Sequence, residues 1–419
     1  MAASPLPYRP RLVDALLDEY LEQLSAVLVV GPRAAGKSTT LRLRAETVVR
    51  LDQEAEAAAF NADPDAALRG LREPVLLDEW QNAPSVLGAV KRAVDDDPRP
   101  GRFLVTGSVQ AELENKVWPG TGRLVRLPMY PMAMREQLGR VEGPSFFDRL
   151  AEGHDLTVPS EVPDLRDYLE LALQGGFPDP ALQLQGRPRR AWLESYIEDL
   201  LTHDVEQLEK SRTKRRDAQR LRRYFEAYAL NSAGVTDHKT IYEAAEVNKA
   251  TGSIYERLLT DLFVVDPMSA WTSNRLKRLV LQPKRYLIDS GLMAAALGVN
   301  EDGALADGKV LGHLIDTFVA AQLRPELTVS RSRPRLFHLR TQQGRQEVDL
   351  VAELAGQRLI AIEVKAGAAP DKWDARHLAW FRDEIGERFV AGVVFHTGPQ
   401  LYELDDRIIA APICTLWAE

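Results

Sequence analysis

The 419-residue chain has a single cysteine and no long apolar run. One cysteine, Cys414, excludes a disulfide framework within the chain, which is typical of proteins in a reducing cytoplasm. We expect Cys414 to be a small apolar strand residue. No apolar run approaches the roughly 20 residues of a membrane-spanning helix, and the opening MAASPLPYRP lacks the apolar segment of a secretory signal. The sequence therefore predicts a cytoplasmic protein that does not contact a membrane.

Positive charge is also scarce, with 53 Lys and Arg against 61 Asp and Glu and a formal net charge of −8. This balance argues against a protein that coats nucleic acid through its overall charge. Basic residues are concentrated in one window, residues 210–223, where KSRTKRRDAQRLRR holds a single acid, Asp217. The window is either a phosphate-contacting surface or a solvated helix face paired with acids elsewhere, and the sequence leaves both open.

Length and pattern predict an α/β multidomain chain. At about 100–200 residues per domain, the length predicts two to four domains. Strands alternate with helical segments through about residue 135, which indicates a parallel sheet with right-handed crossovers. Glycine, proline, serine and charged residues then predominate, and helical patterns follow. We predict a P-loop domain at 1–140, a linker at 141–163, a helical and winged-helix-like domain at 164–300 and an α/β domain at 301–419.

The stretch AVLVVGPRAAGKSTT, residues 26–40, has the spacing of a P-loop or Walker A element. An apolar strand breaks on glycine, and the glycines let backbone N–H groups turn toward phosphates. Lys37 is predicted to reach the β and γ phosphates of ATP or ADP, and the Ser38 hydroxyl to bind Mg²⁺. A chance glycine-rich turn is the alternative, against which the preceding strand argues. The predicted nucleotide-binding residues of the loop are Gly31, Pro32, Arg33, Ala34, Ala35, Gly36, Lys37, Ser38 and Thr39.

Two further strands carry polar residues where they end. PVLLDE, residues 74–79, ends in two carboxylates, which is typical of a Walker B element once a P-loop precedes it. Asp78 is predicted to hold Mg²⁺, and Glu79 to orient or deprotonate the attacking water. The next strand ends in Thr106-Gly107-Ser108. Hydroxyls at the carboxyl end of a parallel strand face the ligand crevice, so Thr106 or Ser108 is predicted to sense the γ-phosphate, and both are candidate nucleotide-binding residues.

The segment GTGR, residues 120–123, supplies a candidate arginine. Arg123 is predicted to stabilise the charge that develops during phosphoryl transfer, as arginines do in many P-loop enzymes. A surface salt bridge is the alternative for this residue.

Residues 236–270 predict a helix, a turn at Asn248 and Lys249, a second helix and a strand. This is the pattern of a winged-helix unit, whose second helix enters the major groove in the versions that bind DNA. We expect Tyr255 and Arg257 to be exposed on that helix. Such units also serve as packing or lever modules, so DNA binding does not follow from the pattern alone.

Near the carboxyl end, two adjacent strands carry Asp349 and the pair Glu363 and Lys365. Residues two apart lie on one face of a strand, so Glu363 and Lys365 point the same way. Two carboxylates can bind Mg²⁺, and a nearby lysine can activate water. Asp316, on a preceding helix, is a third candidate metal ligand beside Asp349 and Glu363. The alternative is a charge cluster that holds a β-hairpin and catalyses nothing.

Together these segments resemble a family of prokaryotic ATPases. Its members join an N-terminal AAA-type P-loop domain to a C-terminal domain of unknown function with a restriction-endonuclease-like core. The resemblance covers nearly the whole chain and is carried by GPRAAGKSTT, LLDEWQNAP, LVTGS, GTGR, QGGFPDP, KRYLIDSGL, EVDLV and IAIEVKAG. It implies that ATP and Mg²⁺ bind, and that Asp349, Glu363 and Lys365 occupy the catalytic positions of PD-(D/E)xK nucleases, with a second Mg²⁺ or Mn²⁺. Asp316 stands where the family pattern usually has glutamate, which shortens that ligand by one methylene.

We therefore expect a Mg²⁺-dependent ATPase that acts on DNA or RNA. Metal-dependent nuclease activity in its last domain is a second, separate hypothesis. Nuclease-like folds also occur without activity. The alternative is thus a nucleotide-gated switch or scaffold whose inert nuclease-like fold binds a protein partner or DNA. Both versions are compatible with a homo-oligomer.

Overall fold

The computed structural model describes residues 7–108, 122–204, 218–274, 281–341 and 344–418. Gly120 and Thr121 of the GTGR segment lie outside these ranges. The chain divides into two compact units, Met1–Pro131 with Asp261–Phe263 and Met132–Thr260 with Val264–Glu419. The second unit contains the segments predicted as linker, middle domain and last domain, except Asp261–Phe263, and it also contains residues 132–140 of the predicted P-loop domain. The boundaries predicted among those three segments stay predictions.

The first unit is built on a parallel sheet, as the sequence predicts. The strands are β1 Ala26–Val30, β2 Thr47–Arg50, β3 Val75–Asp78, β4 Phe103–Gly107 and β5 Val125–Pro128. Among the described residues of this unit, the strand order is β2-β3-β4-β1-β5, and every pairing is parallel. The helices are Val13–Gln23, Lys37–Arg42, Glu54–Ala62, Pro64–Leu68 and Val86–Asp96.

The central strands of this sheet are buried along their whole length. Parallel sheets are covered on both faces by their crossover helices, so central strands read as continuous apolar runs. Their side chains pack with Trp80, Leu87 and Val90 in one apolar core. Because β3, β4 and β1 are neighbours, the polar residues that follow each of them meet at the carboxyl edge of the sheet.

The second unit contains a mixed sheet and a two-stranded hairpin. Its strands are β6 Val265–Met268, β7 Lys284–Leu287, β8 Arg335–Arg340, β9 Glu347–Glu353, β10 Leu359–Val364, β11 Phe389–His396, β12 Tyr402–Asp405 and β13 Ile408–Pro412. In the part of this unit that the structure describes, the larger sheet has the order β12-β13-β11-β10-β9-β8. β10 runs antiparallel to β9 and parallel to β11, while β6 and β7 form the antiparallel hairpin. An α/β architecture is therefore present in both units.

The described part of the second unit also contains a series of longer helices. They are Phe146–Ala151, Leu165–Gln174, Gly186–Asp199, Ala218–Leu230, His238–Ala244, Lys249–Asp261, Ser290–Leu297, Glu301–Ala306, Gly308–Val329 and Arg376–Ile385. Shorter helices span Met134–Gln137 and Pro178–Leu182. No helix of the described residues is long and apolar enough to cross a membrane.

The segment predicted as a linker, residues 141–163, contains a packed helix. Phe146 and Phe147 are both buried. Their large aromatic side chains supply enough apolar area to pack this segment, although most residues around them in the sequence are polar. The Asp148 carboxylate accepts a hydrogen bond from the Ser330 hydroxyl at 2.7 Å. This part of the chain is therefore anchored within the second unit.

The predicted helix, turn, helix and strand of residues 236–270 are present, while the winged-helix assignment itself stays a prediction. The expected exposure of Tyr255 is wrong: it is 1% exposed, and its ring lies 5.6 Å from that of Tyr224. The side chain belongs to the apolar face of its helix and packs inward.

Two described arginines of the basic window are paired with acids. Arg222 contacts Glu198, and Arg223 contacts Glu246, which matches the solvated-helix interpretation. Residues 205–217 lie outside the described residues. Cys414 is buried as expected, but it lies in a 3₁₀ turn rather than in a strand.

Candidate functional site

The P-loop joins β1 to the helix Lys37–Arg42 and depends on glycine at two positions. A Cβ at Gly31 would lie 2.0 Å from the Met129 carbonyl oxygen, which no side chain tolerates. Gly36 has φ of 95°, in the left-handed region that glycine adopts without strain. The buried Arg11 supports the loop by donating to the Ala35 carbonyl at 2.7 Å. The loop shape is thus fixed by backbone contacts.

Lys37 is buried within this loop. Its Nζ donates to the carbonyl oxygens of Gly31 at 3.0 Å and Pro32 at 2.7 Å. Burial lowers the pKa of Lys37 to about 8, while the nearby carboxylates of Glu79 and Asp78 oppose the shift. The side chain is therefore a cation at neutral pH, and it is held by neutral carbonyls that a phosphate can replace.

Asp78 receives three donors at the carboxyl edge of the sheet. Its Oδ1 accepts from the Ser38 hydroxyl and from the Thr106 hydroxyl, both at 2.6 Å. Its Oδ2 accepts from Arg42 Nη2 at 3.2 Å. A hydroxyl beside a carboxylate provides the hard oxygen donors that Mg²⁺ prefers, so Ser38 and Asp78 fit the predicted ion.

Glu79 has a left-handed backbone with φ of 59°, which costs a non-glycine residue roughly 1–2 kcal/mol. Its N–H donates to the Thr106 hydroxyl at 2.9 Å. Its carboxylate accepts from the Ser108 hydroxyl at 3.1 Å and from the Gln81 amide. Such outliers are found where function needs a side chain in one place, and here the bonds aim the Glu79 carboxylate.

Thr106 and Ser108 are both buried and contact the acidic pair. Their predicted role as γ-phosphate sensors stays a prediction. The sequence pattern missed Gln81 and Arg42 as members of this site. Gln81 lies in the segment LLDEWQNAP, so its position three residues after Asp78 was the available signal.

Arg123 lies away from this group within the chain. β5 runs parallel to β1 with Val125 beside Val27, so a residue before Val125 lies toward the amino edge of the sheet. The P-loop leaves the opposite, carboxyl edge. Arg123 Nε contacts Asp95 Oδ1 at 2.6 Å, as in the alternative interpretation of this residue.

Of the predicted residues of the last domain, Asp349 lies on β9, Glu363 on β10 and Lys365 directly after β10. Antiparallel pairing of Ile362 with Leu350 places Glu363 beside Asp349. The Asp349 Oδ2 accepts from the Val364 N–H at 3.0 Å. Lys365 Nζ donates to Glu363 Oε1 at 2.8 Å.

A second lysine, which the sequence pattern did not single out, occupies the centre of this cluster. Lys284, the first residue of β7, is 2% exposed. Its Nζ lies 2.7 Å from Asp316 Oδ2 and 2.8 Å from Asp349 Oδ1. The other oxygen of Asp316 accepts from the Tyr286 hydroxyl at 2.9 Å. The two aspartates thus share one buried ammonium group.

The charges of this cluster shift the pKa of each member. Burial lowers the pKa of Lys284, but Asp316 and Asp349 outweigh it and raise the pKa well above its ordinary value. Burial raises the pKa of Asp349, but Lys284 outweighs it and lowers the pKa. Burial, and then Asp349, raise the pKa of Glu363 to about 8.

These residues do not fit the second metal ion that the resemblance implies. The described residues include no group of three or more His, Cys, Asp or Glu side chains arranged to hold a metal. Asp316 and Asp349 face an ammonium instead of an open coordination position.

Comparison with known proteins divides the chain into three matched regions. Residues 23–138 match an AAA domain family, residues 165–303 match a domain of unknown function (DUF8612), and residues 311–416 match a domain of unknown function (DUF4143). The combination of an N-terminal AAA match with a C-terminal DUF4143 match agrees with the resemblance to AAA-type ATPases. The AAA domain indicates ATP binding and hydrolysis in general terms.

The chain is also similar to two uncharacterized mycobacterial proteins, Rv2008c of Mycobacterium tuberculosis and Mb2031c of Mycobacterium bovis. Each is 29% identical over 401 residues, which cover 95% of this chain and 82% of the relative. The similarity therefore extends through both compact units.

Proposed function

We propose that the first unit binds ATP with Mg²⁺ and hydrolyses it. The observation that carries this proposal is the convergence of Ser38 on Asp78 beside the buried Lys37, at the carboxyl edge of a parallel sheet. Hard oxygen donors and a lysine at the end of such a sheet are what the phosphates of a nucleotide and their metal ion require. The match of residues 23–138 to an AAA domain agrees with it.

Each residue of this site has a defined task in the proposal. Lys37 exchanges the loop carbonyls for the β and γ phosphates, while backbone N–H groups of the loop donate to the same phosphates. Mg²⁺ supplies charge neutralisation between the phosphates when it is bound. Glu79, aimed by Ser108 and Gln81, accepts a hydrogen bond from the attacking water and places it in line.

Three substitutions test these tasks separately. Lys37→Ala removes the phosphate contact, so we expect loss of ATP binding measured by calorimetry. Glu79→Gln keeps the size of the side chain but not its basicity, so we expect binding without turnover in a phosphate-release assay. Lys91→Ala is the matched control, since this lysine is partly exposed, lies outside the loop and pairs with Asp95. A Lys37→Ala protein that hydrolyses ATP at the rate of the control would refute the assignment.

For the second unit we favour the nucleotide-gated switch over the nuclease. The observation that favours it is the ammonium of Lys284 between Asp316 and Asp349, where a nuclease needs a metal ion. In this proposal ATP binding and slow hydrolysis change how the second unit, including its nuclease-like and winged-helix-like parts, binds a protein partner or DNA. A homo-oligomer in which a neighbour supplies Arg123 is part of the same proposal.

Two measurements separate the switch from the nuclease. The purified protein is incubated with single- and double-stranded DNA and RNA in Mg²⁺ or Mn²⁺, with Lys365→Ala as the control for contaminating nucleases. ATP turnover is then compared with and without each nucleic acid. Absence of cleavage together with unchanged turnover supports a switch that acts on a protein. Cleavage that the Lys365→Ala protein lacks supports the nuclease, and strong stimulation of turnover supports action on nucleic acid.

A further inference from the structure

The Asp316 and Asp349 carboxylates of the second unit are paired with an ammonium group of the same chain, that of Lys284. Lys284 comes from the region matched by DUF8612, whereas Asp316 and Asp349 come from the region matched by DUF4143. The Lys284 side chain is 2% exposed, and Asp316 is 7% exposed. Charges buried to this degree are stable only when they are paired and hydrogen-bonded. Each of the two aspartates therefore depends on the same lysine.

Every oxygen of the two aspartates has a donor. Lys284 Nζ serves one oxygen of each, at 2.7 Å and 2.8 Å. The remaining oxygens accept from the Tyr286 hydroxyl at 2.9 Å and from the Val364 N–H at 3.0 Å. A divalent ion that bound both aspartates would have to displace the ammonium group. The displaced ammonium would then remain buried, and among the described residues Asp316 and Asp349 are the carboxylates with which it pairs.

Lys284 is also held in place by its own strand. It pairs with Met268 in the β6–β7 hairpin, and its Nζ lies 5.4 Å from the centroid of the Tyr286 ring. A lysine that could swing away would need an exposed end, and this one has none. Lys365, by contrast, keeps a third of its side chain exposed and pairs with the neighbouring Glu363.

We infer that Lys284 is the resident cation of the carboxylate cluster, that it excludes divalent metal ions, and that it joins the DUF8612 and DUF4143 regions into one folding unit. Asp349, Glu363 and Lys365 then keep the residue pattern of a nuclease. The ion pairs of Lys284 with Asp316 and Asp349 hold the two regions together. The inference concerns the second unit and does not depend on ATP binding by the first.

The test measures Mn²⁺ binding by electron paramagnetic resonance in the nucleotide-free full chain. An Asp78→Asn background removes the acidic donor of the first unit. We expect no Mn²⁺ bound in the second unit when Lys284 is present. In Lys284→Met, which keeps the apolar stem but not the charge, we expect stoichiometric Mn²⁺ binding that a further Asp349→Asn substitution abolishes. Lys309→Met, an exposed lysine on the Asp316 helix, is the matched control and should bind none.

Thermal unfolding gives a second, independent readout. Loss of the ammonium leaves the buried Asp316 carboxylate facing the partly buried Asp349 carboxylate, so Lys284→Met should lower the Tm by roughly 6–20 °C. Millimolar Mn²⁺ should restore part of this loss, and it should leave the Tm of the protein with Lys284 unchanged. Lys284→Met/Asp349→Asn should have a higher Tm than Lys284→Met without metal.

Two results would overturn the inference. One is stoichiometric Mn²⁺ binding by the protein with Lys284 that is lost in Asp349→Asn, because the cluster would then be an ordinary metal site. The other is a folded Lys284→Met protein with an unchanged Tm and no Mn²⁺ binding, because the lysine would then neutralise nothing. If Lys284→Met does not fold, binding by the protein with Lys284 and the Tm of the double variant still decide the question.

Discussion

The Thr106 hydroxyl connects the two acids of the nucleotide site, and Thr106→Val removes this connection while nearly keeping the shape of the side chain. The hydroxyl donates to Asp78 Oδ1 at 2.6 Å and accepts from the Glu79 N–H at 2.9 Å. Thr106 is 0% exposed, so water cannot replace these bonds without a rearrangement. Thr106→Val should therefore lower the stability of the protein and also disturb the orientation of the Glu79 side chain.

The expected loss of stability follows from these two contacts. A hydrogen bond to an ionised carboxylate contributes about 1.5–3 kcal/mol, and a buried N–H left without an acceptor costs about 1–3 kcal/mol. Losses at neighbouring groups do not add in full, so we expect Thr106→Val to lower the free energy of unfolding by about 2–4 kcal/mol. Thr106→Ser keeps the hydroxyl and loses only a buried methyl group, so it should cost less.

Urea unfolding and ATP turnover, measured on both variants and the parent protein, provide the assay. We expect the order parent, Thr106→Ser, Thr106→Val in stability, and a matching order in turnover. A residue that only sensed the γ-phosphate would instead reduce turnover and leave stability unchanged. Equal stability of the two variants would refute the reasoning, because the hydroxyl would then hold nothing in place.

Three further predictions concern other residues. A Cβ at Gly107 would lie 2.2 Å from Trp80 Nε1, so Gly107→Ala should displace the indole, lower stability in urea unfolding and impair turnover. Gly88→Ala is the control: its Cβ meets only the flexible end of Arg92, so stability should not fall. Burial lowers the pKa of Lys37 to about 8, so the lysine loses its charge above that pH. ATP affinity measured by calorimetry should then fall up to about tenfold per pH unit. Constant affinity from pH 7 to about 9 would contradict a titrating Lys37. The pKa of Glu363 rises to about 8 from its ordinary 4.5, so the folded state keeps a proton that the unfolded chain releases, and the free energy of unfolding should decline as pH rises between these values. Glu363→Gln should make this decline shallower in pH-dependent urea unfolding, and an identical slope would argue against the shift.

The sequence pattern predicted the parts of the nucleotide site that are local in the chain. β1, β3 and β4 appear where their apolar runs indicate, because buried parallel strands have a composition that needs no knowledge of neighbours. Gly31 and Ser38 follow from the spacing of one loop. The pattern did not predict that Arg11 supports the loop, since that contact joins residues 24 apart.

The predictions that failed or remain untested share a physical cause. The helix Phe146–Ala151 lies within the predicted linker because its stability comes from packing rather than from local propensity. Tyr255 is buried because the apolar face of a helix is decided by what packs against it. Arg123 lies toward the amino edge of the sheet because strand register, which a motif cannot show, places it there.

By itself the sequence determined the chemistry that is available: a phosphate loop with Lys37, two acids after a strand, and a carboxylate and lysine pattern near the carboxyl end. Only the tertiary structure decided which charges meet. Lys284 and Asp349 are 65 residues apart, yet the ammonium of one satisfies the carboxylate of the other. A buried charge without a partner is strongly unfavourable, so the pairing is required for stability. Periodicity and motif spacing cannot predict it, because the free energy of a buried charge depends on its partner in space and not on its neighbours in the chain.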